Sequence, residues 1–347
     1  MIRKLGLPLL ALFTLLITAC ASNVPQQTAP LATDQPTFLL APQMQDRILA
    51  LDPEQVTERD VREILALSPA PRVISIHGGI YPVHLVMKSF AEFLVGMGYP
   101  ESSIRLPGDG SYSFSCYDSS EKIAGAIAWF YEREGMRPMI VGHSQGGIQA
   151  VKVLHELAGS FNTRIPVWNP LVQKKETRYE IQEPLGGNPT PVVGLQVSYA
   201  TAVGAGGLTR ILPNQWTMMK KLRQVPESVI EFTGFYMGMD VLGGDMLGFG
   251  SGNLYEPNGT AHVRNVQLPT GSNHFNLPAT RHLIESQQII DWIYSYIPSE
   301  KPMLDTEFTS DSRHILWAAD VWYSIRKHWV LELQRVISAQ RSLDYAY

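Results

Sequence analysis

Ser144 sits between Gly142 and Gly146 in the run Val141, Gly142, His143, Ser144, Gln145, Gly146, Gly147, directly after an apolar stretch and directly before a helix-like one. A serine at such a point stands on a sharp strand-to-helix turn with its hydroxyl exposed for attack, and small residues two positions either side leave room for the tight backbone. The chemistry this suits is nucleophilic. A serine hydroxyl is a poor nucleophile at its ordinary pKa, so a neighbouring imidazole must take its proton as the new bond forms. His274 is the expected base, because it lies in the loop after the last strand-like stretch and leads into a helix-like one. His143 adjoins the serine, but on a strained turn its side chain points elsewhere. His84, His155 and His282 fall in helix-like stretches, and His262 opens the last strand at its far end. The imidazolium that forms needs a carboxylate to hold its tautomer and stabilise its charge. Asp240, at a strand end, is preferred over Asp245 in the glycine-rich loop that follows, since a strand end holds a group more firmly than a run of glycines does. The developing oxyanion needs preorganised N–H donors. The amide of Gly79, in His77, Gly78, Gly79, is assigned as one donor, with Ile80 as the adjacent alternative, and the amide of Gln145 as the other.

These groups need a scaffold that gathers strand ends. Residues 72–76 form a β-branched run ending at His77, and residues 82–97 repeat apolar side chains at three- and four-residue steps before Gly98. A second strand is expected over residues 103–106, then a helix over residues 120–134, a strand over 139–141 and a helix over 146–157. A polar, proline-bearing stretch occupies residues 159–190. The pattern resumes with a strand over 192–199, a helix over 214–223, a strand over 229–237, a glycine-rich loop over 238–252, a strand over 263–268 and a helix over 279–296. Short apolar strands alternating with helices imply a parallel sheet covered on both faces, with ligands bound at the carboxyl ends of the strands. From Ser312 onward Ile315, Trp322, Ile325, Trp329 and Leu333 recur at helical spacing. This segment reads as a helix packed on the domain, the alternative being a lipid-facing amphipathic helix.

In this order, the His-Gly-Gly loop, the Gly-His-Ser-Gln-Gly elbow, the aspartate and the late histidine resemble the α/β-hydrolase superfamily, most of all its lipase and esterase branches, over residues 72–297. The resemblance implies an α/β-hydrolase fold, a mostly parallel central sheet with helices on both faces, and a serine hydrolase that cleaves carboxylic esters through an acyl-enzyme on Ser144 without a cofactor. Two features depart from the pattern: no clear pair of leading strands precedes Arg72, and a long helical extension follows the last helix. Apolar residues within 202–216, among them Val203, Leu208, Ile211 and Leu212, follow a central strand where such hydrolases often carry a lid. A lid would suit an acyl or lipid-like substrate, and a plain surface connection is the equal alternative. Thioesterase, acyltransferase or peptidase chemistry would use the same three side chains. A non-catalytic envelope protein that keeps the fold to bind a partner is the alternative of a different class.

The chain start reads as an export signal. Arg3 and Lys4 supply the positive end, residues 5–17 an apolar stretch too short to span a membrane, and Thr18, Ala19, Cys20 a small-residue cleavage site. Residues 17–20 resemble the lipobox of bacterial lipoproteins, in which Cys20 becomes the lipidated first residue, and Ala21 after it favours the outer membrane. Acyl chains would hold the protein to a membrane surface and leave its domain in water. The expected organisation is a signal over residues 1–20, a flexible tether over 21–45, a hydrolase domain over 46–300 and a packed helical extension over 301–347. With 347 residues, 45% of them hydrophobic, the chain can bury a full core. A net charge of −4 without a basic tract argues against nucleic acid as a partner. No closely spaced His, Cys or carboxylate set matches a metal-ligand pattern. The run Gly248 to Gly252 opens no helix and reads as a loop, not a dinucleotide site. Cys116, the second of two cysteines, has no elbow around it and reads as a buried free thiol.

Overall fold

In the computed structural model, which describes residues 40–79, 83–205, 213–238, 240, 243, 253–269, 274–304 and 313–344, two short helices precede the first strand. Helix α1 (Pro42–Leu49) starts on a proline, whose missing N–H is an orphan at that position anyway. Helix α2 (Glu58–Glu63) is closed by a reciprocal cap: the Thr57 hydroxyl accepts the Asp60 amide at 3.2 Å and the Asp60 carboxylate accepts the Thr57 amide at 2.9 Å. The tether therefore ends earlier than Gln45, because residues 42–45 already belong to α1 and Met44 packs against the core. Residues 1–39, with the export signal and Cys20, lie outside the described residues, as do Ile80, Asp245, the 206–212 part of the expected lid and the 248–252 run.

Strand β1 (Val73–His77) leads towards α3 (Val83–Gly96), β2 (Phe114–Ser115) to α4 (Ser120–Glu134), and β3 (Met139–His143) to α5 (Gln145–Leu157). The strand expected over residues 103–106 is not formed. Glu101–Ser103 make a 3-10 turn, and the next residues close on themselves, Leu106 accepting the Gly110 amide at 2.9 Å and giving its own to the Ser111 carbonyl at 2.8 Å. Ile104 and Leu106 are buried without pairing, so their apolar character imitated a strand. The polar stretch carries two small antiparallel ladders, β4 (Trp168–Asn169) with β5 (Lys174–Lys175) and β6 (Glu180–Gln182) with β7 (Pro189–Pro191). Strand β8 (Val197–Val203) begins later than expected because Gly194, at φ +106°, turns the chain first. Pro213–Met218 is a 3-10 turn in place of the helix expected over 214–223. After it come β9 (Gln224–Pro226), β10 (Val229–Met237), β11 (Glu256–Asn258) and β12 (His262–Leu268), with β9 and β11 paired to each other. The helix expected over 279–296 is split at the extended residue Ser286 into a 3-10 turn, Arg281–Glu285, and α6 (Gln287–Ser295). The chain closes with α7 (Arg313–Asp344).

Six strands form one sheet in the order β12-β10-β8-β3-β1-β2, and every pair is parallel. The fold is α/β. Side chains alternate between the two faces: Val73, Met139, Val141 and Tyr199 share a core with α3, α6 and α7, while Ile74, Ile140 and Ala200 share one with α4 and α5. Strand β3 lies between β1 and β8, so its carboxyl end is flanked by two others.

Helix α7 is a wall of the first core, not an addition to it. Ile315, Trp322, Ile325, Trp329 and Leu333 are all at most 1% exposed, which rules out a lipid-facing stripe along them. Trp317 packs on Phe90 with ring centroids 4.8 Å apart, and Trp329 on Tyr99 at 4.7 Å, while the Trp329 indole N–H donates to the Pro69 carbonyl at 2.8 Å. Charged pairs register the helix: Asp320 accepts from Arg264 of β12 at 2.8 Å, and Lys327 meets Glu231 of β10 at 2.8 Å. Among the described residues no helix is long and apolar enough to cross a membrane.

Candidate functional site

Ser144 follows the last residue of β3 and precedes the first of α5, at φ +56° and ψ −124°. This left-handed backbone is costly for a residue with a side chain and persists only where the surroundings enforce it. Two of them do so here by proximity. A Cβ at Gly142 would lie 2.6 Å from the Gly146 carbonyl oxygen, and one at Gly146 would collide with the Ile76 carbonyl. The Ser144 amide donates to the Val203 carbonyl at the end of β8 at 2.8 Å, pinning the turn to the neighbouring strand.

His274, after β12, and Asp240, after β10, meet this serine. The imidazole Nε2 is 2.8 Å from Ser144 Oγ and Nδ1 is 2.8 Å from Asp240 Oδ2. With Nδ1–H donating to the carboxylate, Nε2 is left as an acceptor for the serine hydroxyl. Both side chains are 7% exposed. The second Asp240 oxygen accepts the Gly243 amide at 2.8 Å, so the carboxylate is held at both ends.

Two glycines that sequence reasoning passed over, and His143, shape this line. Gly204 stands at φ +60°, and a Cβ there would sit 2.8 Å from the His274 ring; one at Gly243 would collide with Asp240 Oδ2. These glycines leave the slot in which the imidazole and carboxylate lie. His143 does point away from the serine, and its Nε2 donates to the His274 backbone carbonyl at 2.7 Å. It is 1% exposed, and burial first, then the adjacent His274, push its pKa down to about 3, so it is a neutral strut. Burial and His84 likewise push His77 down to about 4. The only hint of the slot in the sequence is the glycines that follow residues 197–203.

Gly79 and Gln145 are adjacent: a Cβ on Gly79 would strike the Gln145 carboxamide oxygen. Gln145 is the first residue of α5, where the amide has no intrahelical acceptor and the helix dipole presents its positive end. The Tyr117 hydroxyl donates to the Gly79 carbonyl at 3.0 Å and ties down the loop after β1. Cys116 is 2% exposed, and burial pushes its thiol up to about 12, so it offers no thiolate. Among the described residues no three His, Cys, Asp or Glu side chains gather to hold a metal ion. No known family model matches the chain, and no curated protein is significantly similar to it.

Two outcomes follow from this geometry. Gly204→Ala should leave the protein folded but slow any reaction of the Ser144 hydroxyl by about 100-fold, the scale of a misplacement of about 1 Å at a reacting group. Circular dichroism alongside p-nitrophenyl acetate hydrolysis checks this, and full activity would show that the slot has slack. Stability should also fall with acid. The unfolded chain protonates His143 near its ordinary 6.5, whereas the folded chain holds it neutral to about 3. The unfolded state therefore binds more protons as pH drops below about 6.5, and His143 alone can remove up to about 1.4 kcal/mol per pH unit. Urea melts between pH 7 and pH 4.5 should show a shallower decline for His143→Gln than for the parent, and parallel declines would contradict the assignment.

Proposed function

We propose that this chain is a serine hydrolase of the α/β-hydrolase superfamily that cleaves carboxylic esters through an acyl-enzyme on Ser144. The observation that carries the reading is the continuous line from Ser144 Oγ through His274 to Asp240, two hydrogen bonds of 2.8 Å each, with the serine on a left-handed turn. The chain order serine, aspartate, histidine at the carboxyl ends of a parallel sheet supports it. In the first half-reaction His274 Nε2 takes the Oγ proton while Oγ attacks the ester carbonyl. The oxyanion lies against the Gly79 and Gln145 amides, and the imidazolium, hydrogen-bonded to the Asp240 side chain, returns its proton to the departing alcohol. In the second, His274 takes a proton from water, the resulting hydroxide attacks the acyl carbon, and Ser144 recovers its proton as the acid leaves. No step calls for a cofactor. In this reading the enzyme is held by a lipid anchor at Cys20, at the outer membrane and facing the periplasm, and the likeness of residues 17–20 to a lipobox supports it.

A fluorophosphonate probe tests the reading. The folded parent should be labelled at Ser144, and Ser144→Ala and the heat-unfolded parent should not. Absence of label on the folded parent would overturn it in favour of a binding protein. A p-nitrophenyl ester series of increasing acyl length then reads the acyl preference.

A further inference from the structure

Beside the carboxyl end of β1 lies a cavity of about 520 Å³, within the roughly 300–1,000 Å³ range of small-molecule sites. His77 lines it, and the next residue, Gly78, abuts the serine so closely that a Cβ there would be 3.4 Å from Ser144 Oγ. Its walls mix polar groups with apolar surface. Ser111, Ser113, Ser115, Asp109, Tyr112 and Gln173 contribute hydroxyl, carboxylate, phenol and carboxamide groups, and Leu106 and Phe114 add aliphatic and phenyl surface.

The two lysines are already matched, and the Asp109 carboxylate accepts the Ser111 amide at 2.9 Å. Lys122 meets Asp118 at 2.7 Å and Lys88 meets Glu92 at 3.5 Å, so neither ammonium is left uncompensated for a phosphate or a carboxylate. The hydroxyls are tied to neighbours, Ser113 Oγ to His77 Nδ1 at 3.0 Å and Ser115 Oγ to the Tyr117 amide at 3.2 Å, and what they offer a ligand is their remaining lone pairs, beside the aromatic bodies of Tyr112 and Phe114. That set suits a neutral ligand carrying several hydroxyls on a carbon frame. A backbone observation adds to it. Besides Ser144, the only described residue other than glycine with a positive φ is Gln173, at φ +53° on the cavity rim. Glycine would adopt that backbone at less cost; the carboxamide that stands there donates to the Pro170 carbonyl at 2.8 Å and keeps its oxygen as an acceptor beside the cavity.

We infer that this cavity binds the hydroxyl-rich portion of the substrate, a sugar or polyol, whose ester bond lies at Ser144. Its role as a substrate site rests on the hydrolase reading, whereas the binding itself does not. Calorimetry with the full-length Ser144→Ala protein tests it, using methyl glucoside, methyl N-acetylglucosaminide and glycerol as ligands. At least one should bind, with affinity about tenfold weaker after a further Gln173→Gly substitution and lost after Ser111→Trp, which fills the cavity. Gln173→Gly relieves a strained backbone but loses the bond to Pro170 and loosens the unfolded chain, so its thermal midpoint should stay within a few degrees of the parent's, and weaker binding by a protein that is still folded at the assay temperature separates ligand contact from stability. If none of the three binds, or if both variants bind as the parent does, the inference is overturned. Fluorophosphonate labelling of the parent reports on the other reading separately. Sugar binding without labelling would leave the cavity assignment standing and remove the esterase, and labelling without sugar binding would do the reverse.

Discussion

Ser144→Ala is expected to lower kcat/KM for p-nitrophenyl esters by about 10⁴- to 10⁶-fold, and adding His274→Ala to that variant should cost almost nothing more. The two side chains act as one unit. Without the hydroxyl there is no proton for the imidazole at 2.8 Å to take, and without the imidazole the hydroxyl has no base to accept its proton. Asp240→Asn should be milder, at about 10⁴-fold, because His274 keeps its place but loses the carboxylate that selects its tautomer. Activity that survives in all variants should come from the Gly79 and Gln145 amides, which none of the substitutions removes. Steady-state rates for the four proteins check this. Additive losses would mean that the 2.8 Å line does not operate as a unit in the reaction.

Trp322→Ala is expected to destabilise the fold by about 3–5 kcal/mol, a large share of the 5–15 kcal/mol that stabilises a typical domain. Trp322 is fully buried, with Tyr99 and Tyr294 at its edges, so truncation removes indole contacts and leaves a hole that the packed helices cannot close. The thermal midpoint should drop by about 10 °C, and near-ultraviolet circular dichroism should lose tryptophan signal in the same transition. The same variant distinguishes the two expectations for the segment after Ser312. A lipid-facing helix would leave stability unchanged and weaken binding to vesicles instead, so an unchanged midpoint would contradict the packing described above.

How much of the site could be read in advance depends on the range of the interaction concerned. The elbow around Ser144 is a local steric problem, and five consecutive residues contain its whole solution. His274 and Asp240 were legible as positions relative to strands, because a parallel sheet brings the carboxyl ends of its strands to one edge. The slot was not legible. Gly204 matters only because His274, seventy positions later, comes within 2.8 Å of where a Cβ would stand, and His143 acts on a backbone carbonyl that no side-chain pattern advertises. The second strand failed for a different reason. Phe114–Ser115 is too short to show any period, whereas the buried Ile104 and Leu106 nearby show one without pairing. The last helix displayed its apolar stripe plainly, but a stripe does not say whether protein or lipid covers it.

The first and last helices also touch. Gln334 of α7 donates to the Leu51 carbonyl at 2.9 Å, just past α1, and Arg341 meets Asp46 of α1 at 2.7 Å. In terms of synthesis this makes the domain a closed circuit: the sheet can be paired by residue 268, yet the face it shares with α3 and α6 is closed only when the 32-residue α7 docks. Contacts so distant in sequence form slowly, since the chain must first close the long loop between them. A domain built this way is complete only once α7 has docked across it.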